Sequence, residues 1–124
     1  MSQPVQINVT SKYLGKQDKP QSADVFVFSY TVNITNTSDR AVKLLSRYWL
    51  ITNGDGEKVE VRGEGVIGEQ PLIQPNQTYS YTSASMLKTE VGTMQGFYRF
   101  ERDNLSEFEA PIPVFSLAVP NSLH

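Results

Sequence analysis

The sequence has no cysteine. It therefore offers no disulfide, no thiolate nucleophile and no thiolate metal ligand. Small secreted domains often lean on disulfides, so their absence points to the cytoplasm. Histidine occurs once, as the final residue His124, and chain ends fray. A Ser–His–Asp arrangement then has no dependable base, and a transition-metal site lacks its usual imidazole and sulfur ligands. Charge is scarce and balanced: charged residues make up 19% and the net charge is −2. No basic footprint favours nucleic acid or an anionic membrane surface. No run approaches the roughly 18 apolar residues of a membrane helix. The opening Met1-Ser2-Gln3-Pro4 lacks the charged and apolar regions of a signal peptide. No segment carries a 3.6-residue apolar stripe, and no internal repeat is present.

What the sequence does contain is alternation. Its 124 residues, 39% of them hydrophobic, suit one domain over 1–124 with one core. Val5, Ile7 and Val9 alternate with polar residues, which marks a half-buried strand. Gly15 to Ser22 reads as an exposed connection. Phe26, Phe28, Tyr30, Val32 and Ile34 then fall on one face of the strongest strand, and a slip of one residue would expose them all. Asn36-Thr37-Ser38-Asp39 is turn chemistry.

Extended chain resumes from Val42 to Thr52. The adjacent pair Leu44 and Leu45 shifts the alternation onto Trp49 and Ile51, which predicts a bulge near Ser46. Asn53-Gly54-Asp55-Gly56 predicts a hairpin, with Val59 and Val61 on the returning strand. Tyr79, Tyr81 and Ser83 form a further alternating segment; Met86, Leu87 and Val91 read as a connection crossing between sheets. Met94, Gly96, Tyr98 and Phe100 form the next strand, and Asp103-Asn104 a turn. Phe115, Leu117 and Val119 close the pattern behind Pro111 and Pro113, which predict an edge or a bent entry. Seven or so short strands with closely spaced turn signals predict an all-β fold, an antiparallel β-sandwich.

The sharpest local motif is Gly63-x-Gly65-x-x-Gly68, flanked by Arg62, Glu64 and Glu69. In a dinucleotide fold, such glycines let backbone amides approach a pyrophosphate at a helix N-terminus. Here Pro71 and Pro75 would break any helix that followed, so the required strand–helix context is missing. The favoured expectation is a structural loop whose glycines supply positive φ or close packing. The alternative is a site for nucleotide or pyrophosphate, a phosphorylated small ligand, formed by Arg62, Gly63, Glu64, Gly65 and Gly68. Arg47 and Trp49 lie two apart on one strand face. Core packing under an arginine stem is the favoured reading, and an exposed partner-binding anchor the alternative.

Several blocks in order resemble the bacterial ApaG family: Leu44-Leu45-Ser46-Arg47-Tyr48-Trp49-Leu50-Ile51-Thr52, Val61 through Pro71, Tyr81-Thr82-Ser83, Gly92-Thr93-Met94-Gln95-Gly96, and the terminal Pro111-Ile112-Pro113 with Phe115 to Pro120. The resemblance covers nearly the whole chain and implies a fibronectin type III/immunoglobulin-like sandwich. It also implies an association with cobalt and magnesium efflux, and a likeness to domains of eukaryotic proteins that serve as protein-recognition modules. Tyr48 stands where many members are expected to carry histidine, which weakens metal binding by this strand. The composite expectation is a cytoplasmic, non-enzymatic domain that binds a protein partner, without catalytic residues, metal ligands, cofactor, nucleic acid or membrane insertion.

Overall fold

The computed structural model describes residues 4–17 and 24–121. Eight strands follow one another: β1 (Val5–Gln17), β2 (Val25–Asn36), β3 (Val42–Asn53), β4 (Lys58–Glu64), β5 (Leu72–Ile73), β6 (Thr78–Leu87), β7 (Val91–Arg102) and β8 (Glu107–Ala118). One sheet runs β1-β2-β6, the other β4-β3-β7-β8, and β5 pairs with the start of β3. Every pairing is antiparallel. The result is the all-β antiparallel sandwich that the alternation implied, of the fibronectin-like kind that the resemblance implied. Among the described residues no helix is long and apolar enough to cross a membrane.

The period of two decides which side chains enter the core. Phe28, Tyr30, Val32 and Ile34 project inward from β2, and Met94, Tyr98 and Phe100 project inward from β7, all buried. Trp49 sits between the layers, edge-on to Tyr30, Tyr98 and Phe115 at centroid distances of 5.4, 6.2 and 5.9 Å. Edge-to-face contacts suit the aromatic quadrupole, and the buried rings supply much of the apolar area that holds the sheets together. A hydrogen bond between the hydroxyls of Tyr81 and Tyr98 links the two sheets through this core.

Several local expectations hold. Register between β3 and β7 shifts between Leu44 and Ser46, so Leu45 is the extra residue of a bulge. The Asn53–Gly56 hairpin is present, with the Asn53 side chain accepting from the Asp55 and Glu57 amides. β8 is an edge strand, and a second register shift against β7 falls between Met94 and Gly96, where Pro113 and Val114 are accommodated.

Other expectations need correction. Gly15 to Gln17 do not begin a loop; they continue β1 beyond a bulge at Tyr13/Gly15. The remainder of that expected connection, 18 to 22, lies outside the described residues, as does His124. Met86 and Leu87 belong to β6 and Val91 to β7, so the passage between sheets shrinks to 88–90. Strand β5 was not anticipated, because two residues between Pro71 and Pro75 carry no readable period. The turn chemistry at Asn36 is present, and Asn36 is in addition fully buried. Its Nδ2 donates to the carbonyls of Arg40 and Ile73 at 2.8 and 2.9 Å, and its Oδ1 accepts from the Ser38 amide and hydroxyl.

Candidate functional site

The glycine motif forms an excursion from one sheet edge. β4 covers Ser46 to Thr52 of β3, and β5 covers Val42 and Lys43 on the same side. Between them the chain leaves the sheet at the β3 bulge. The bulged Leu45 carbonyl accepts from the Gly65 amide at 2.8 Å and from Gln70 Nε2 at 2.9 Å, and Leu44 N–H donates to Pro71 O at 3.0 Å. Val66 and Glu69 exchange two backbone hydrogen bonds, closing a tight turn. Its central residues Ile67 and Gly68 have φ of 42° and 80°, the signature of a type I′ hairpin. Gly65 has φ of 60°, and a Cβ there would lie 2.0 Å from the Glu69 carbonyl oxygen. No L-residue with a side chain fits that position without the turn moving.

This geometry disperses the residues of the phosphate-loop reading. Gly63 lies within β4 and faces inward, Gly65 is buried, and Gly68 sits exposed at the hairpin tip. The amides of Gly65, Val66 and Glu69 already donate to carbonyl oxygens. Arg62 points to the opposite face from Gly63, where its guanidinium lies 4.4 Å from the Tyr48 ring centroid and 3.5 Å from Glu60. Glu64 is exposed at the end of β4.

Arg47 and Trp49 share the inward face of β3. Arg47 lies flat across Gly63, whose missing Cβ would come within 2.7 Å of the guanidinium. It donates to the Glu64 and Gly65 carbonyls at 3.1 and 2.9 Å, so it clamps the point where β4 departs. Trp49 is 2% exposed. Trp49 is thus a core residue, as the favoured reading had it, whereas Arg47 stays partly exposed with its guanidinium committed to the Glu64 and Gly65 carbonyls.

The same bulge turns Tyr48 outward, onto the outer face of the five-stranded sheet. Tyr48 is paired with Arg62 on β4 and with Phe97 on β7, and Phe97 with Pro111 on β8. One cross-strand row therefore reads Arg62, Tyr48, Phe97, Pro111 across the whole outer face of the five-stranded sheet. The Tyr48 and Phe97 rings stack at 5.0 Å and 26°. Arg62 stacks on the other side of Tyr48, a cation–π contact. Tyr48 Oη donates to Glu60 Oε2 at 2.7 Å, which holds its pKa above the usual phenol value. Arg99 pairs with Glu107 beside the row. The side chains enclose a shallow depression of about 480 Å³ bounded by Arg62, Phe97, Arg99 and Glu109. The row escaped the sequence reading because Phe97 and Tyr48 lie far apart in sequence; the bulge already predicted near Ser46 was the signal for which β3 residues face outward.

No group of three acidic, histidine or cysteine side chains is clustered for metal binding among the described residues.

Comparison with known proteins places this geometry. Residues 16–102 match the family model DUF525, described as the ApaG domain. The chain is 49% identical over 127 residues to Protein ApaG of Pseudomonas putida (strain W619), with all of both chains covered. It is 50% identical over 118 residues to Protein ApaG of Escherichia coli O1:K1 / APEC, covering 95% of this chain and 94% of that one. An X-ray structure of the structural-genomics target SoR45 is 40% identical and superposes with a TM-score of 0.94, covering 98% of this chain and 91% of that one.

Proposed function

The chain belongs to the ApaG domain family, and from that premise we propose that it is a non-enzymatic protein-interaction module of the cytoplasm. It docks a partner on the outer face of the five-stranded sheet. The observation that carries this reading is the solvent-facing stack of Arg62, Tyr48 and Phe97. Arginine and tyrosine are among the residue types that dominate binding hot spots, and a stack held in place before binding loses little side-chain entropy on contact. The rim of Glu60, Arg99, Glu107 and Glu109 supplies polar groups around an apolar centre, as interfaces commonly do. The association with cobalt and magnesium efflux that the family name carries would then be indirect, acting through the docked partner.

The test pairs affinity capture with a surface variant. Tyr48→Ala combined with Phe97→Ala should weaken a captured partner by at least about tenfold, the scale of hot-spot truncation. The variant's far-ultraviolet circular dichroism should stay that of the parent, since both rings lie outside the core. Undiminished capture by a folded variant would refute the docking face. Turnover of a phosphate ester by the purified protein, abolished by a single side-chain change, would refute the non-enzymatic reading. Amide shifts from Gly63 to Gly68 on adding pyrophosphate would move the assignment to a small-ligand site.

A further inference from the structure

The four sheet edges are not alike. β1 is interrupted by a bulge and carries Lys12 and Lys16. β4 bears Lys58, Glu60, Arg62 and Glu64 in alternation. β8 contains Pro111, Pro113 and a bulge. Each device blunts an edge against pairing with another chain. β6 has none of them. Its ten residues, Thr-Tyr-Ser-Tyr-Thr-Ser-Ala-Ser-Met-Leu, hold no charge, no proline and no glycine, and they pair with β2 in unbroken register. Among the described residues β2 is its only strand partner.

The surroundings of that edge differ from the opposite flank. There Ser11 Oγ donates to the Ser116 carbonyl and bridges β1 to β8. On the β6 flank the sheets part into a cleft of about 270 Å³ lined by Ile51, Val59, Met86 and Leu87. Val59 and Met86 are 57% and 63% exposed. The cleft is below the usual size of a small-molecule site, and it suits one or two inserted side chains. Lys58 and Lys88 stand at its rim, while the nearby Glu57 carboxylate is engaged by Asn53 Nδ2 at 2.9 Å. The cleft thus combines an apolar floor with two lysines against one carboxylate, a net positive rim.

We propose that β6 accepts an extended segment of a partner protein as an added strand, with apolar side chains entering the β4–β6 cleft and an acidic side chain meeting Lys58 and Lys88. Main-chain hydrogen bonds along β6 provide affinity, and the cleft selects alternate residues. This deepens the interaction reading above, yet its main-chain hydrogen bonds form on β6 of the three-stranded sheet and not on the Arg62–Tyr48–Phe97 stack, so each surface fails or succeeds by itself.

The probe is a capped peptide of about eight residues, the length of an ordinary strand, alternating valine with threonine and ending in two aspartates. Titrated into isotopically labelled protein, it should slow amide exchange along Thr78–Leu87 and shift Ile51 and Val59, leaving Phe97 unmoved. Ala84→Lys places a charge on the edge without removing a hydrogen bond, and should abolish binding. Lys58→Glu with Lys88→Glu should weaken it several-fold, with native dispersion retained in both variants. Equal binding of a peptide ending in two lysines would overturn the acidic assignment. No response of β6 at millimolar peptide would overturn the proposal. So would concentration-dependent dimerisation protecting β6 without peptide, which assigns the edge to a second copy of this chain.

Discussion

At the scale of the residue, the glycine motif separates into unequal positions. Gly65 combines φ of 60° with a carbonyl oxygen 2.0 Å from any added Cβ, whereas Gly68 has φ of 80° and nothing within 4 Å. Gly65→Val should therefore destabilise the protein by about 3 kcal/mol or more, because left-handed strain and collision add. Gly68→Ala meets only the strain, about 1–2 kcal/mol. Chemical denaturation of both variants checks the ranking, and equal losses would refute the collision argument. Ile67 gives the converse case. A β-branched residue at φ of 42° is a misfit, and its side chain is 58% exposed, so little burial repays the strain. Ile67→Asn should raise stability by about 1 kcal/mol, since asparagine tolerates this region; an unchanged or lower denaturation midpoint would count against the turn geometry. That no helix would follow the glycines was legible from Pro71 and Pro75. Which glycine matters most was not, since only the three-dimensional return of Glu69 onto Gly65 distinguishes them.

At the scale of the element, what sequence conveys best is the face of a long strand. The inward set of β2 and of β7 was readable because a run of alternating residues admits only one buried side. The bulge at Leu45 was readable too, since two adjacent leucines break the period. β5 was not, because its two residues form a strand only by pairing with Val42 and Lys43. Nor was Asn36, which looks like any turn asparagine until the ends of β2 and β5 meet around it. Asn36→Ala would remove a donor from the Arg40 and Ile73 carbonyls and the acceptor of the Ser38 amide, at about 2–4 kcal/mol in all, although the Ser38 hydroxyl still donates to the Arg40 carbonyl. Thermal melting would reveal this as a drop of many degrees, and a shift within error would mean that water replaces the amide.

The link between sheets also has a pH signature. Burial raises the Tyr81 and Tyr98 pKa values well above the ordinary 10.0, although their mutual hydrogen bond and Arg47 partly oppose this for Tyr81. The unfolded chain then ionises before the folded one. This contribution to stability is present in full below the unfolded pKa and is lost as pH rises past it. Stability should fall from about pH 9.5 upward. The double variant Tyr81→Phe with Tyr98→Phe should show a shallower fall over the same range, measured by urea unfolding at a series of pH values. Identical slopes would mean that these two phenols do not control alkaline unfolding.

At the scale of the whole molecule, the question is whether the domain itself binds a metal ion. Binding to the folded state alone adds stability as RT ln(1 + [L]/Kd), about 2.7 kcal/mol when the ion is at a hundred times Kd. For a domain of this size that shift would move the melting temperature by several degrees. The chain has no cysteine and one histidine, and no cluster of three candidate ligands occurs among the described residues. Its carboxylates are spread over strands and turns, and several are paired with arginine: Asp103 with Arg40, Glu60 with Arg62 and Glu107 with Arg99. Gathering them around an ion would require breaking those pairs and displacing strands whose register is fixed by pairing. Millimolar cobalt or magnesium should accordingly leave the melting temperature unchanged to within about one degree, less than the several degrees of a site at saturation. A larger rise, reversed by a chelator and absent with sodium, would place a cation site on the domain.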